Sequence, residues 1–151
     1  MAEAIGLAAS IMAIIQLADR IVGICKLCIE SLEDCPKDFR MILVEISSTR
    51  ALFDSLQFVQ QHDAHSADFL EKLAGPNGSI TGCHTAVKDL ESLFPYDDSI
   101  YAQGKKKNRQ KAQIIFKTLA WPLKQNKAKE LLTRVAQHKI TINTAFSIEV
   151  W

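Results

Sequence analysis

Two absences shape this chain. Across residues 4–18 (AIGLAASIMAIIQLA) no side chain carries a charge, and across residues 105–129 none carries a negative one. An uncharged helical run at the start of a chain is either a core helix of a bundle or a part that leaves the bundle for a membrane or a partner. The second absence is hidden by the net charge of +1. Residues 105–129 hold nine Lys or Arg, whereas the first 34 residues hold five acidic side chains and two basic ones.

Other features are missing too. No alternation of period two competes with helical periodicity, so strands are not expected. The start lacks the basic residues of a secretory signal and carries Glu3 instead. The expectation is a cytoplasmic chain whose four cysteines stay reduced. The uncharged run spans 15 residues, short of the roughly 20 that cross a bilayer. Asp19 and Arg20 then interrupt it before the apolar pattern resumes at Ile21. A permanent transmembrane anchor is therefore not expected.

Signatures of catalysis are also lacking. Gly104-Lys105 has neither the upstream glycine nor the following Ser or Thr of a phosphate-binding loop. Gly-x-Ser-x-Gly and His-Glu-x-x-His do not occur, and no carboxylate pair stands out from solvated helix faces. Cys25 and Cys28 form a CxxC inside a helical pattern, with no second pair at zinc-ligand spacing. They read as buried thiols acting as small hydrophobes. His62 and His65 flank Asp63 at a helix end and read as solvated; His138 falls on an apolar stripe and reads as a core or boundary residue. No enzyme activity, cofactor, metal or nucleic-acid partner is expected.

What is present is helical periodicity over a composition that is 48% hydrophobic and 23% charged, the balance of one globular domain over residues 1–151. In the first segment Ile11, Ile14, Ala18, Ile21, Cys25, Cys28 and Leu32 follow 3–4 spacing. Ala2, Gly6 and Ser10 make a second, small face that would let another helix approach closely. Asp34-Cys35-Pro36 stops this helix, and Pro36 suits the first turn of the next.

The second helix is predicted over about residues 37–60, with Phe39, Ile42, Ile46, Thr49, Phe53 and Leu56 as its stripe. A short third helix is predicted over residues 66–74, ended by Gly75-Pro76-Asn77-Gly78. Ile80, Cys83, Val87, Leu90 and Phe94 mark a fourth, in which Gly82 weakens the first turn by up to ~1 kcal/mol. Residues 95–104 read as a loop. The basic stretch leads into a helix through Ile114, Ile115, Phe116 and Leu119, which Trp121-Pro122 should kink or end. Asn126 is the predicted N-cap of the last helix, with Ala128, Leu131, Val135, His138, Ile142 and Ala145 as its stripe. No stop signal precedes Trp151, so the expectation is a piece of a longer protein. Five or six such helices make an all-α antiparallel bundle.

Two groups of residues carry functional content. Ile5, Gly6, Leu7, Ser10, Ile11, Ile14 and Ile15 belong to the apolar helix. Lys105, Lys106, Lys107, Arg109 and Lys111 form a basic cluster of the kind that attracts anionic lipid head groups, at roughly 1 kcal/mol per residue near the surface.

Four stretches together resemble the N-terminal domain of fungal STAND (NACHT-type, NOD-like) receptors, in the group of the HeLo and HeLo-like cell-death domains. They are AIGLAASIMAIIQLADRIVGI, DCPKDFRMILVEISSTRALFDSL, GPNGSITGCHTAVKDLESLF and WPLKQNKAKELLTRVAQHKITINTAF. They cover nearly the whole chain in order, with the Asp34-Cys35-Pro36 turn and the Trp121-Pro122 break between helices. The resemblance implies an all-α bundle fused to a nucleotide-binding or repeat region, and a role in regulated cell death and non-self recognition. In related HeLo domains the N-terminal helix is the membrane-active element, a role that would fall to residues 4–18. The implied partners are further copies of the chain, anionic membrane lipids and other helical signalling domains. The implied location is cytoplasmic, with recruitment to the membrane on activation. The competing expectation is a non-lytic adaptor or autoinhibitory module.

Overall fold

The computed structural model describes residues 2–94 and 108–150, with the backbone alone at residues 2–5, 64–67, 108, 118 and 149–150. Among the described residues there are six helices and no strand: α1 (Ala2–Ser31), α2 (Lys37–His62), α3 (Ala64–Leu73), α4 (Ser79–Ser92), α5 (Asn108–Leu119) and α6 (Trp121–Val150). The chain is an all-α helical bundle, as its periodicity predicts. Lys105, Lys106, Lys107 and the predicted 95–104 loop lie outside the described residues.

The apolar stripes become the core. On α1, Leu7, Ile11, Ile14, Ala18, Ile21, Cys25 and Cys28 are buried, joined by Ile24; Leu32, just past the helix, is half-buried. All six stripe residues of α2 are buried. Thr49 belongs there because its Oγ1 donates to the Glu45 carbonyl at 2.8 Å, so no polar group is left unmet. On α6 the buried positions are Ala128, Leu131, Val135 and Ile142. His138 and Ala145 are half-buried.

α1 packs against α2, α3, α4 and α5, while α6 packs chiefly against α4 and α2. Asp19 of α1 meets Arg50 of α2, which sets these two helices antiparallel after the short turn at residues 32–36. α4 and α6 are also antiparallel: Lys124 Nζ donates to the Leu93 carbonyl at 2.9 Å, and His138 lies against Gly82. Gly82 is therefore more than a weak point of its helix. A Cβ there would stand 2.4 Å from Cε1 of His138, so glycine is what lets the imidazole lie on the α4 backbone.

The junction of α5 and α6 differs from expectation. α5 ends at Leu119, and Ala120 takes a left-handed φ of 50°. α6 starts at once at Trp121, with Pro122 in its first turn, where a missing N–H costs nothing. Asn126 is an exposed residue inside α6 and not its N-cap. Phe39 gathers three rings around this junction, with Trp121 at 4.8 Å, Phe94 at 6.0 Å and Phe116 at 6.3 Å, all edge to face. Beside them the Asp38 carboxylate accepts from Gln125 Nε2 at 2.6 Å and Trp121 Nε1 at 3.4 Å. Lys129 Nζ lies 3.7 Å away.

Candidate functional site

α1 divides its surface between two environments. One face is the buried stripe. The other is a ridge of exposed residues at 3–4 spacing: Ala9, Met12, Gln16, Asp19, Gly23, Lys26 and Glu30. Met12 is 50% exposed. Of the residues singled out on this helix, Leu7, Ile11 and Ile14 face the core, Ile15 and Ser10 are half-buried, and Gly6 is exposed. The side chain of Ile5 lies outside the described residues.

Among the described residues the small face seats no other helix, and none of their atoms comes within 4 Å of a Cβ built on Gly6. Gly6 and Ser10 instead border an open groove of about 670 Å³, whose far wall is Asp68, Glu71, Lys72, Gly75 and Pro76.

The two charges that interrupt the apolar pattern are both used. Asp19 accepts from Arg50 of α2, and Arg20 Nε meets Glu91 of α4 at 2.9 Å. Adjacent residues of α1 thus reach opposite ways, one to each neighbouring helix. The sequence shows these charges but not their partners, which lie 31 and 71 positions away.

The helix is longer than the uncharged run that opens it. From Gly6 to Ser31 it is continuous, with a mean hydropathy of 1.7 over its best 18-residue window. Among the described residues this is the one stretch long and apolar enough to cross a membrane. The central helix of a soluble bundle meets the same criterion.

The described part of the basic cluster sits on α5, which packs directly on α1. Ala112, Ile115 and Leu119 point into the core. Arg109 and Lys117 are exposed and Lys111 is half-exposed. The fold therefore brings the cationic helix against the apolar one, a neighbourhood that sequence spacing does not reveal.

The thiols are protected. Cys25, Cys28 and Cys83 are buried and none of the four cysteines forms a disulfide. Burial pushes both Cys28 and Cys83 up to about 12, with the neighbouring Cys35 adding to the first and Glu45 to the second. Thiols held neutral in this way are poor nucleophiles. His84 is shifted down, first by burial and then by Lys88. Among the described residues no three His, Cys, Asp or Glu side chains are grouped closely enough to hold a metal ion. No protein-family model matches the chain, and no curated protein or solved structure is significantly similar to it.

Proposed function

We propose that this chain is a signalling domain that induces regulated cell death. On activation several copies assemble, residues 4–18 leave the bundle for the bilayer, and the basic residues at the start of α5 hold the assembly on anionic lipid. The observation that supports this reading is the pairing of the chain's most apolar helix with its cationic one. The resting location is the cytoplasm, and the partners are further copies and anionic lipids rather than nucleic acid.

Release is expensive. Exposing Leu7, Ile11 and Ile14 costs about 2 kcal/mol each, and the sum approaches the stability of a small domain. Insertion into lipid, or packing of α1 against other copies, has to offset that cost. A resting monomer therefore keeps α1 buried, and activation depends on assembly.

The test combines dye release from anionic liposomes with amide hydrogen exchange. Leakage that accompanies loss of protection across residues 4–18 is the expected result. Full protection of those amides with no leakage, even after forced oligomerisation, would overturn it. Deleting residues 1–18 is a poor control, because it removes four core side chains along with the helix.

One observation favours a second reading. α1 packs against four other helices, which suits a helix that stays in place. On that reading the domain is a non-lytic adaptor or autoinhibitory module that binds other helical signalling domains. Persistent protection of α1 in the same experiment is its signature.

A further inference from the structure

The corner between α5 and α6 combines three features that packing alone does not call for. The first is strain. Ala120 stands alone between the two helices with a φ of 50°, a conformation that is unfavourable for a residue with a Cβ and free for glycine. Strained residues of this kind gather at binding and switch sites.

The second feature is an apolar side chain held out in water. Leu123 is 87% exposed, the most exposed large apolar side chain among the described residues. Local geometry puts it there. Positions two apart on a helix point about 200° from each other, so burying Trp121 against Phe39 turns Leu123 outward. The Leu123 N–H donates to the Ala120 carbonyl at 3.0 Å, which ties the first turn of α6 to the corner. Ala120 and Pro122 are exposed beside it. A lone exposed leucine on a neutral surface would be ordinary.

The third feature is charge of one sign. Lys117 in the last turn of α5 is exposed, and so is Lys127, one turn beyond Leu123 on the same side of α6. Lys124 Nζ is seated on the neutral Leu93 carbonyl and keeps its full charge. Among the described residues of these two helices no acid precedes Glu130. That carboxylate is shared by Arg134 at 2.6 Å and Lys127 at 3.9 Å. Asp38 of α2 is offset by Lys129 at 3.7 Å. Exposed Lys37 and Arg40 at the start of α2 balance Glu33 and Asp34 in the turn before it. The balance around the protruding leucine is positive.

That combination selects a partner. A nucleic acid would use the cations and leave Leu123 in water. An anionic bilayer uses both. Its head groups attract the lysines with a strength that falls as salt rises. The leucine enters the boundary of the acyl chains, and the lysine stems lie along it with their ammonium groups in the head-group layer. We propose that the α5–α6 corner is a docking point for anionic bilayers, with Leu123 as the inserted side chain and Lys117, Lys124 and Lys127 as the ring that holds it. Docking uses the resting bundle and leaves α1 buried. It shares the anionic lipid with the function proposed above and rests on none of its other steps.

The test is co-sedimentation of the full chain with phosphatidylserine-containing vesicles and with pure phosphatidylcholine vesicles. The expected result is binding to the anionic vesicles alone, weakened by salt. Leu123→Gln, which leaves the charge untouched, should weaken it about tenfold with an unchanged circular dichroism spectrum. In a Trp151→Phe background, Leu123→Trp should keep the binding and shift the emission to the blue when vesicles are added. A wild-type chain that stays in the supernatant would overturn the proposal. So would binding indifferent to Leu123→Gln, which is the pattern of charge alone, or an introduced indole whose emission does not move. Leakage and the protection of α1 are read separately. Binding without leakage leaves this inference standing, and leakage with binding indifferent to Leu123→Gln removes this inference alone.

Discussion

The first and last helices of the bundle are equal in length, 30 residues each, and opposite in character. α1 is apolar, touches four other helices and uses its central charges to bind two of them. α6 carries charge along most of its length, and it meets α2 through the Trp121–Phe39 ring contact and polar contacts at Asp38 and Glu45. The difference shows that burial depth follows the width of the apolar stripe and not helix length. It also separates two ways of belonging to a fold. α1 is held by core volume, and α6 by a close approach to α4 together with a polar latch to α2.

The sharpest way to break the comparison is to put a charge on the buried stripe of α1 and on the exposed face of α6. Ile11→Glu places a carboxylate at a position with no solvent exposure and should cost about 4 kcal/mol. Ile140→Glu on α6, at 62% exposure, should change stability by no more than ~0.5 kcal/mol. Urea unfolding monitored by circular dichroism measures both, and equal effects would contradict the contrast.

The α4–α6 approach is tested by Gly82→Ala. The added methyl meets the His138 ring, and overpacking of this kind costs about 1–3 kcal/mol. In a His138→Ala background the same change should turn neutral or stabilising, as helix propensity alone would have it. Persistence of the penalty there would mean the contact is not its cause.

A smaller effect is expected where α6 begins. Ala120 has a φ of 50°, and a residue with a Cβ pays roughly 1 kcal/mol in that region. Ala120→Gly should raise the melting temperature by a few degrees. A drop would place the strain elsewhere.

The smallest change belongs to the exposed ridge of α1. Among the described residues nothing lies within 4 Å of a Cβ built on Gly23. Gly23→Ala should therefore add only the helix-propensity gain, at most ~1 kcal/mol. A loss of stability would mean that something packs on that ridge.

Much of this architecture was legible because helical period and burial coincide. Every residue of the predicted α2 stripe is buried, and those of α4 are too. What was hidden has physical reasons. Alanine gives no warning of a left-handed conformation, so the sequence points to Pro122 for the Leu119–Trp121 break and to Asn126 for a cap that it does not form. Gly82 looked like a local weakness because its reason is a ring 56 positions away. The small face of Gly6 and Ser10 suggested a close helix neighbour, but spacing cannot say which side of a helix is left open. The candidate site was legible as two separate segments, and only packing sets α5 against α1.

The ring cluster around Phe39 also gives this molecule an optical reporter. Trp121 is 4% exposed among those rings, at a corner built from α2, α4, α5 and α6, while the described part of α1 makes no close backbone approach to α6. The chain's other tryptophan is Trp151, and Trp151→Phe would leave Trp121 as the sole emitter. Its emission should stay blue if α1 alone departs and shift to the red if the whole bundle comes apart. A single fluorescence trace could thus tell the opening of one helix from the collapse of the fold.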